Sequence, residues 1–468
     1  MSDARSAVSA DRLLPADPIT RSLARELLAT VEDLPIVSPH GHVPATVIAH
    51  DEAFANPAEL LVTPDHYVTR LLHANGCDLS VLGVGDSTAP PRDVWREFCS
   101  AWRIFDGTAS GYWLSSEMSS LFGIDESPTR DNADELYERI TASLHDVRFR
   151  PRALMESFQI EVLATTDDPL DDLSAHTGLR DDPTFAPRVV PTFRPDAYVD
   201  AHAAGFARNV ERLIETAGEG REGYEGYLLA LGNRRQYFLD AGAVATDHGV
   251  RTPLSLRLDA AAAARLFDQV RRGDCSVSDR DAFEAHMLYE MARMSVEDGL
   301  VMAVHPGSLR NYDPRTYARF GPDTGHDIPV AVEFSAPLRP LLADFGTQPG
   351  FHLVLFTLDE TTFSRELAPL AGFYPSVFLG SPWWFLDAPD AMLRFRSAVT
   401  ETTGFSRYGG FIDDTRAFCS IPARHNVARR VEASFLARLV AEHRLTLARA
   451  REIIVELIDV APRRAFKL

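Results

Sequence analysis

The chain alternates short apolar runs with stretches of helical pattern, and this alternation limits its possible folds more than any other feature. Eight apolar runs lie at 34–42, 160–168, 188–196, 243–249, 300–307, 351–360, 376–384 and 409–416. Strand–helix alternation repeated eight times is typical of a (β/α)8 barrel, and a doubly wound open sheet is the competing architecture.

Polar residues at the end of each run favour the barrel. They are His40 and His42, Thr166 and Asp167, Arg194, Asp247 and His248, His305, Asp359, Trp383 and Trp384, and Asp414 and Arg416. A barrel brings the carboxyl ends of all eight strands to one rim, whereas an open sheet scatters them. We therefore predict an α/β fold, a distorted (β/α)8 TIM barrel with its chemistry on that rim.

The gap between the first and second runs is too long for a single crossover helix. Residues 46–148 contain amphipathic helical segments, no convincing strand, and the tryptophans Trp95, Trp102 and Trp113. Three tryptophans supply enough aromatic surface for a small core. The sequence predicts a barrel domain made of 1–45 and 149–468, and an all-helical subdomain, 46–148, inserted after the first strand.

Charge and cysteine usage exclude several classes of protein. The formal net charge is −20, so clustered Lys and Arg for nucleic acid or an anionic membrane are not expected, although a small anionic substrate needs only a few local arginines. The four cysteines form no CxxC pair, which argues against a disulfide framework or a cysteine-ligated zinc. No apolar stretch has the length of a signal peptide or a membrane span, so we expect a cytoplasmic protein.

The sharpest local signal is His40-Gly41-His42 at the end of the first run. Residues i and i+2 of a strand point the same way, so the two imidazoles are expected to lie close together. That arrangement suits a divalent metal completed by carboxylate or water. Two polar residues at a strand end are the alternative. With Asp414 on the last run and His305 on the fifth, a shared site is favoured.

The second signal is Asp413-Asp414-Thr415-Arg416 in the last run. The same period-two rule predicts that Asp414 and Arg416 stand side by side at the rim. A carboxylate there can shuttle a proton or bind a metal, and a guanidinium can stabilise a developing oxyanion. A salt-bridged strand end is the alternative.

Other candidates carry weaker signals. Arg194 and Arg310 can pair with a substrate carboxylate or can be ordinary surface arginines. His66 and Tyr67 open a helix of the insertion that can face the barrel mouth, although Tyr67 can also be a packing residue. Trp383 and Trp384 can wall a sugar-sized pocket, or one of them can be core.

Taken together, seven ordered motifs resemble uronate isomerase, the divergent isomerase branch of the amidohydrolase superfamily. The resemblance covers nearly everything after about residue 30. The motifs are the HGH pair (40–42), His66-Tyr67, TTDDPLDDL (165–173), PTFRPD (191–196), VMAVHPGSLRN (301–311), GSPWWF (380–385) and DDTRAFCSIPARH (413–425).

This resemblance implies an aldose–ketose isomerase that interconverts D-glucuronate and D-fructuronate, or D-galacturonate and D-tagaturonate, through an enediol. It implies that Asp414 moves the proton between C2 and C1 and that Arg416 stabilises the enediolate. Tyr67 and His66 would exchange hydroxyl protons, while Arg194 would anchor the C6 carboxylate. His305, Arg310, Trp383 and Trp384 would contact the sugar.

The resemblance also implies a zinc ion held by His40, His42 and Asp414, an ion that the family does not strictly require for turnover. We further expect a hexuronate sugar acid as the substrate, no nucleic-acid or membrane partner, and a homo-oligomer.

Two other functions stay open from sequence. A metal-dependent hydrolase of the same superfamily usually has a histidine at the end of the sixth strand and a lysine or carboxylate bridging two metals on the fourth. Here the sixth run ends in Thr357-Leu358-Asp359, and the fourth offers Asp247-His248 without a lysine. A non-catalytic sugar-acid binding protein would keep Arg194 and Trp384 but would not need Asp414 beside Arg416.

Overall fold

The computed structural model describes residues 9–203 and 205–468, so residues 1–8 of the predicted barrel domain lie outside the described residues. The described chain forms ten short strands. These are β1 Ile36–Ser38, β2 Ile160–Ala164, β3 Arg188–Val190, β4 Thr192–Phe193, β5 Ala245–His248, β6 Val301–Val304, β7 Ser308–Leu309, β8 Ile328–Pro329, β9 Leu353–Leu355 and β10 Val377–Leu379.

Parallel pairing arranges eight of these strands around a barrel. One sheet has the order β1-β2-β3 and another the order β4-β5-β6-β9-β10. The two sheets join inside the third apolar run, between β3 and β4, where Pro191 has no N–H to donate to the ladder. A further bridge from Asp167 to Phe193 holds β2 against β4. The predicted barrel is thus confirmed, with its third strand split by a proline.

The eighth predicted strand is only partly regular. Residues 409–416 form no strand ladder; a bridge joins the preceding Tyr408 to Leu379, and the Gly409 N–H donates to the Leu379 carbonyl. The segment still closes the ring, because the His42 N–H donates to the Thr415 carbonyl at 3.0 Å. Asp414 has a φ of 45°, and this left-handed residue breaks the alternation that a strand needs. Asp414 and Arg416 therefore do not follow the predicted strand alternation, although both side chains reach the rim.

Helices surround the barrel, as the eightfold alternation predicts. They are Pro18–Ala29, Pro151–Ser157, Ser174–Asp181, Asp196–Val199, Phe206–Ala217, Gly223–Asp240, Ala260–Arg272, Val277–Asp298, Pro314–Phe320, Arg339–Phe345, Ala368–Phe373, Pro389–Thr403, Ile421–Ala441, Leu447–Val455 and Ala461–Phe466. Across residues 9–203 and 205–468, none is both long and apolar enough to cross a membrane. Between β6 and β9 the chain makes an excursion in which the antiparallel pair β7 and β8 flanks helix Pro314–Phe320.

The segment between β1 and β2 is helical throughout its regular parts. Its helices are Ala45–His50, Pro57–Leu61, His66–Ala74, Pro91–Ser100, Ala109–Phe122 and Ala133–Leu144. Trp95 is fully buried, packs on Phe98, and donates its indole N–H to the Ala133 carbonyl. Trp113 instead packs against Tyr67, away from this core and toward the rim. The aromatic surface is therefore divided between a local core and the barrel mouth.

Candidate active site

The rim of the barrel contains a cavity of about 250 Å³. Thirteen residues line it: His42, His66, Arg194, Arg310, Asn311, Pro322, Asp323, Gly325, Asp327, Trp383, Trp384, Asp414 and Arg416. Pockets for drug-sized ligands range over about 300–1,000 Å³, so this cavity suits one small molecule. The residues that the sequence assigns to catalysis, substrate or metal all line it except His40, Tyr67 and His305, which lie in the layer directly behind.

His40, His42 and Asp414 converge at one point, as predicted. The imidazole rings lie 5.2 Å apart, and both Nε2 atoms approach Oδ1 of Asp414, at 3.2 Å from His40 and 3.0 Å from His42. The intervening residue is Gly41 because a Cβ there would lie 3.1 Å from Oδ1 of Asp413. Since both rings approach the same oxygen, Oδ2 of Asp414 is left for a ligand in the cavity.

Burial and charge act in opposite directions on these three groups. Burial lowers the pKa of His42, so this ring is neutral at neutral pH and offers a lone pair. Burial also lowers the pKa of His40, but Asp247 and Asp414 outweigh it and the net shift is upward. For Asp414, burial raises the pKa, and the two imidazoles outweigh it and hold the pKa well below the usual range. Asp414 is therefore a carboxylate at neutral pH.

Asp247 joins two of the predicted substrate-binding residues. Its Oδ1 lies 2.6 Å from Nδ1 of His305, and its Oδ2 lies 3.2 Å from Nη1 of Arg194. Burial raises the pKa of Asp247, but Arg194, His305 and His40 outweigh it and hold the pKa well below its usual range. Arg194 also donates from Nε to Oδ2 of Asp196 at 2.9 Å. The guanidinium is thus fixed by two carboxylates while one face reaches the cavity.

The other two arginines of the cavity share carboxylates from the excursion after β6. Arg416 donates to Oδ2 of Asp323 at 2.9 Å, not to Asp414, which lies two residues before it in sequence. Arg310 lies 3.1 Å from Asp327 and 3.7 Å from Asp323. Asp323 therefore lies between two guanidinium groups, at a place that a substrate carboxylate could also occupy.

His66 and Tyr67 begin helix His66–Ala74, as the sequence predicts, with Asp65 as the N-cap. His66 faces the cavity, and burial lowers its pKa to about 4, so its ring is neutral. The Tyr67 hydroxyl donates to Oδ2 of Asp387 at 2.9 Å. Asp387 in turn accepts from Nη1 of Arg424 at 3.2 Å.

The two tryptophans form one wall of the cavity. Their rings lie 5.7 Å apart, and Arg310 stacks over Trp384 at 4.9 Å. Both indole N–H groups are buried, and neither has a hydrogen-bond partner among the described residues. The Nε2 atoms of His66 and His305 are in the same state. Buried polar groups are normally paired, so four unpaired nitrogens around one cavity indicate a polar ligand.

Several lining residues adopt backbone conformations that L-amino acids rarely take. Asn311, Asp323, Trp384 and Asp414 have φ values of 56°, 61°, 47° and 45°. Asn and Asp tolerate the left-handed region, whereas a residue as large as Trp is strained there. Such strain concentrates where function fixes a side-chain position.

The donor set around Asp414 fits a divalent cation. Two imidazole nitrogens and a carboxylate oxygen are the ligands that zinc prefers, and they lie within 4.8 Å of one another. Oδ1 of Asp414 has no partner with hydrogen-bond geometry among the described residues, although both imidazole nitrogens are within 3.2 Å. A second group, His40, Asp247 and His305, is equally compact but has Arg194 against its carboxylate, which disfavours another cation there.

The sequence prediction missed five carboxylates of the site. Asp196, Asp323, Asp327 and Asp387 received no role, and Asp247 was noted only as a strand-end residue. A role for Asp247 could have been predicted from the sequence, because it lies near the end of a buried strand whose neighbour in the sheet leads to His305. No local pattern marks Asp323, which reaches the cavity only through the fold of the excursion.

Comparison with known proteins gives a consistent result. The family model described as glucuronate isomerase matches residues 18–461. A curated uronate isomerase from Corynebacterium efficiens is 55% identical over 460 residues, covering 98% of each chain. The crystal structure of a glucuronate isomerase from Caulobacter crescentus has a TM-score of 0.96 and 47% identity, covering 98% of this chain and 97% of its own. That of a uronate isomerase from Thermotoga maritima has a TM-score of 0.92 and 26% identity, covering 98% and 99%.

Proposed function

Since the chain belongs to the glucuronate isomerase family, we propose that its rim cavity interconverts an aldohexuronate and its ketohexuronate. D-glucuronate with D-fructuronate, and D-galacturonate with D-tagaturonate, are the candidate pairs. The observation that carries the proposal is the meeting of Asp414 with His40 and His42 beside a cavity lined by three arginines.

The reaction needs a base that acts on one face of the sugar. The carbonyl moves from C1 to C2 when the proton on C2 is removed and returned to C1 through an enediolate. A carboxylate that is ionised at neutral pH and has one oxygen facing the cavity can perform both transfers. Asp414 meets these conditions, because its pKa is held low and Oδ2 is free of the imidazoles.

Positive charge beside the reacting carbons stabilises the enediolate. Arg416 lines the cavity and is proposed for this role, once a substrate displaces or rearranges Asp323. Arg194 is proposed to hold the C6 carboxylate, while Trp383, Trp384, His305 and Arg310 orient the hydroxyl groups. His66 is proposed to hold O1 or O2, with Tyr67 exchanging hydroxyl protons from behind it.

A zinc ion is the proposed cofactor, held by His40, His42 and Asp414. When bound, it would supply fixed positive charge beside the sugar oxygens. The surroundings favour such an ion, since the carboxylates of Asp196, Asp247, Asp323, Asp327 and Asp414 outnumber the guanidinium groups of Arg194, Arg310 and Arg416.

Metal binding is testable without any turnover assay. Titration calorimetry of the metal-free chain with Zn²⁺ should show one tight site, and His42→Ala should weaken it by at least about 10²-fold, because one of three protein ligands is lost. His145→Ala removes an exposed histidine of the insertion and should leave the titration unchanged. Equal zinc affinity in His42→Ala and the wild type would contradict this ligand set.

The activity itself is tested by ketose formation from D-glucuronate and D-galacturonate, with and without a chelator. We expect ketose from at least one of the two hexuronates. If the zinc ion contributes to turnover, the rate of ketose formation should be lower with the chelator than without it. Release of an acid or an amine from ester, lactone or amide substrates, without ketose, would favour a hydrolase. Family membership does not favour that reading.

The remaining expectations stay proposals. We propose that 46–148 is a helical subdomain inserted into a barrel built from 1–45 and 149–468, supported by the all-helical content of its regular elements between β1 and β2. We propose a cytoplasmic location, with all four cysteines free. A homo-oligomeric state also stays a prediction.

A further inference from the structure

Three buried polar side chains from separate parts of the chain meet behind the cavity. Tyr67 comes from the first turn of helix His66–Ala74, Asp387 from the turn after the double tryptophan, and Arg424 from helix Ile421–Ala441. They are 4%, 5% and 1% exposed. Residues so far apart in sequence are brought together only by the complete fold.

Hydrogen bonds and stacking fix these three groups in order. The Tyr67 hydroxyl donates to Oδ2 of Asp387 at 2.9 Å, and Nη1 of Arg424 donates to the same oxygen at 3.2 Å. Nη1 also lies 3.3 Å from the carbonyl of Asp413, next to Asp414. The guanidinium stacks on Trp113 at 3.6 Å and on Tyr67 at 4.8 Å. Tyr67 therefore has its proton committed to Asp387, while its oxygen can still accept a hydrogen bond.

Stability alone does not explain this arrangement. Removing an aspartate and an arginine from water costs more than their attraction usually returns, and apolar residues of similar volume are often as stable or more so. The pair instead fixes the phenol of Tyr67, whose pKa is raised well above its usual range by burial, by Asp387 and by Asp414, so this phenol lies close to the proposed base.

We infer that Asp387 is a positioning residue that acts through Tyr67, orienting the phenol and accepting its proton during isomerisation. The inference rests on the proposed function, since it needs a sugar hydroxyl in the cavity. Arg424 holds Asp387 in place and favours the charged form of its carboxylate.

The proton transfer balances without any other reactant. The hydroxyl of the sugar gives its proton to Oη of Tyr67 as the Tyr67 proton passes to Oδ2 of Asp387. Asp387 becomes a neutral acid, Tyr67 stays a phenol, and the sugar oxygen keeps its electron pair. The reverse transfer returns the proton to a sugar oxygen after the carbonyl has moved.

The groups that face Asp387 are compatible with this exchange. Burial raises the pKa of Asp387 to about 7, with Arg424 lowering it, Tyr67 lowering it through its hydrogen bond, and Asp414 raising it. Two further carboxyl groups lie near this guanidinium. Asp65 is 3.9 Å from Nη2 of Arg424, and burial raises the pKa of Glu117 to about 8, with Asp65 also raising it and Arg424 lowering it. A carboxyl that titrates near neutrality can take up and release a proton readily.

A double-mutant cycle with Tyr67 tests the inference. Asp387→Asn keeps an oxygen for the phenol hydrogen bond but cannot take its proton, so we expect kcat for the hexuronate to fall by about 10²-fold with KM changed less than about threefold. Tyr67→Phe should cost a similar factor, and the double variant should be no slower than the slower single variant. The fall of wild-type kcat below about pH 7 should be absent in Asp387→Asn, because only the carboxylate form accepts the proton.

Asp298→Asn is the matched control. Asp298 pairs with the buried Arg235 at the amino end of β6, opposite the rim, so this variant should lose thermal stability and keep its kcat. Wild-type kcat in Asp387→Asn, or losses that multiply in the double variant, would overturn the inference. If Asp387→Asn does not fold, Arg424→Lys replaces it in the cycle, with the same lack of additivity expected and multiplied losses again counting against it. Absence of ketose with the wild-type chain would refute the proposed function itself.

Discussion

Asp414→Asn is expected to lower kcat for hexuronate isomerisation by about 10³-fold or more, while the chain stays folded. The amide cannot accept the proton from C2, and general base catalysis contributes about 10²–10⁴-fold by itself. Loss of a zinc ligand would add to the effect. Because Asp414 has a low pKa in its environment, the wild-type enzyme should retain this base down to acidic pH. Initial rates of ketose formation at varied hexuronate concentration give kcat and KM, and thermal unfolding shows whether the variant stays folded.

Asp93→Asn is the matched control for this variant. It makes the same chemical change on the solvent-facing side of helix Pro91–Ser100, where the Asp93 side chain is 57% exposed, and should leave kcat unchanged. Turnover of both hexuronates at the wild-type rate by Asp414→Asn would remove Asp414 from the mechanism, whatever its place beside the two histidines.

Substitution of Arg194 is expected to give the second-largest effect, and this effect should depend on the charge of the ligand. Arg194→Lys keeps the positive charge between Asp196 and Asp247 but loses the planar fork that pairs with a carboxylate. We expect KM for hexuronates to rise by about 10²-fold, since a charge-assisted bidentate pair contributes about 1.5–3 kcal/mol. Inhibition by neutral aldoses such as D-glucose should change little.

Arg194→Met separates binding from stability. It leaves two carboxylates without their counter-charge, so we expect the free energy of unfolding to fall by about 3 kcal/mol, measured in denaturant. Arg194→Lys should be affected much less. If the lysine variant weakened hexuronates and neutral aldoses equally, the carboxylate would have to be held elsewhere, with Arg310 and Arg416 beside Asp323 as the next candidates.

The sequence predicts the barrel because each strand is short, apolar and followed by polar residues. Seven of the eight runs contain strands, and the eighth closes the ring without a ladder. A sequence pattern predicts side-chain directions correctly only where the backbone is a regular strand, with successive side chains on opposite faces. Pro191 splits the third strand, and the left-handed φ of Asp414 separates Arg416 from its predicted neighbour.

The sequence also predicts the residues at the centre of the site, but it does not predict the carboxylates around them. His40, His42 and Asp414 follow the first and last strands, and closing the ring places these strands side by side. Asp323 and Asp387 depend on the paths of an excursion and a turn, and neither has a periodic pattern. Ion pairs between distant segments have no local signature, so the partners of Arg194, Arg416 and Tyr67 could be identified only in three dimensions.

The strained backbone at Trp384 limits the thermal stability that this enzyme can reach while it keeps its cavity. A bulky residue with φ near 47° is disfavoured by roughly 1–2 kcal/mol, and glycine would relieve that cost. Glycine would also remove the indole that walls the cavity and stacks under Arg310. Because removal of a buried tryptophan side chain costs about 3–5 kcal/mol, more than the strain that glycine relieves, selection for heat resistance and selection for turnover should both retain Trp384 and gain stability elsewhere.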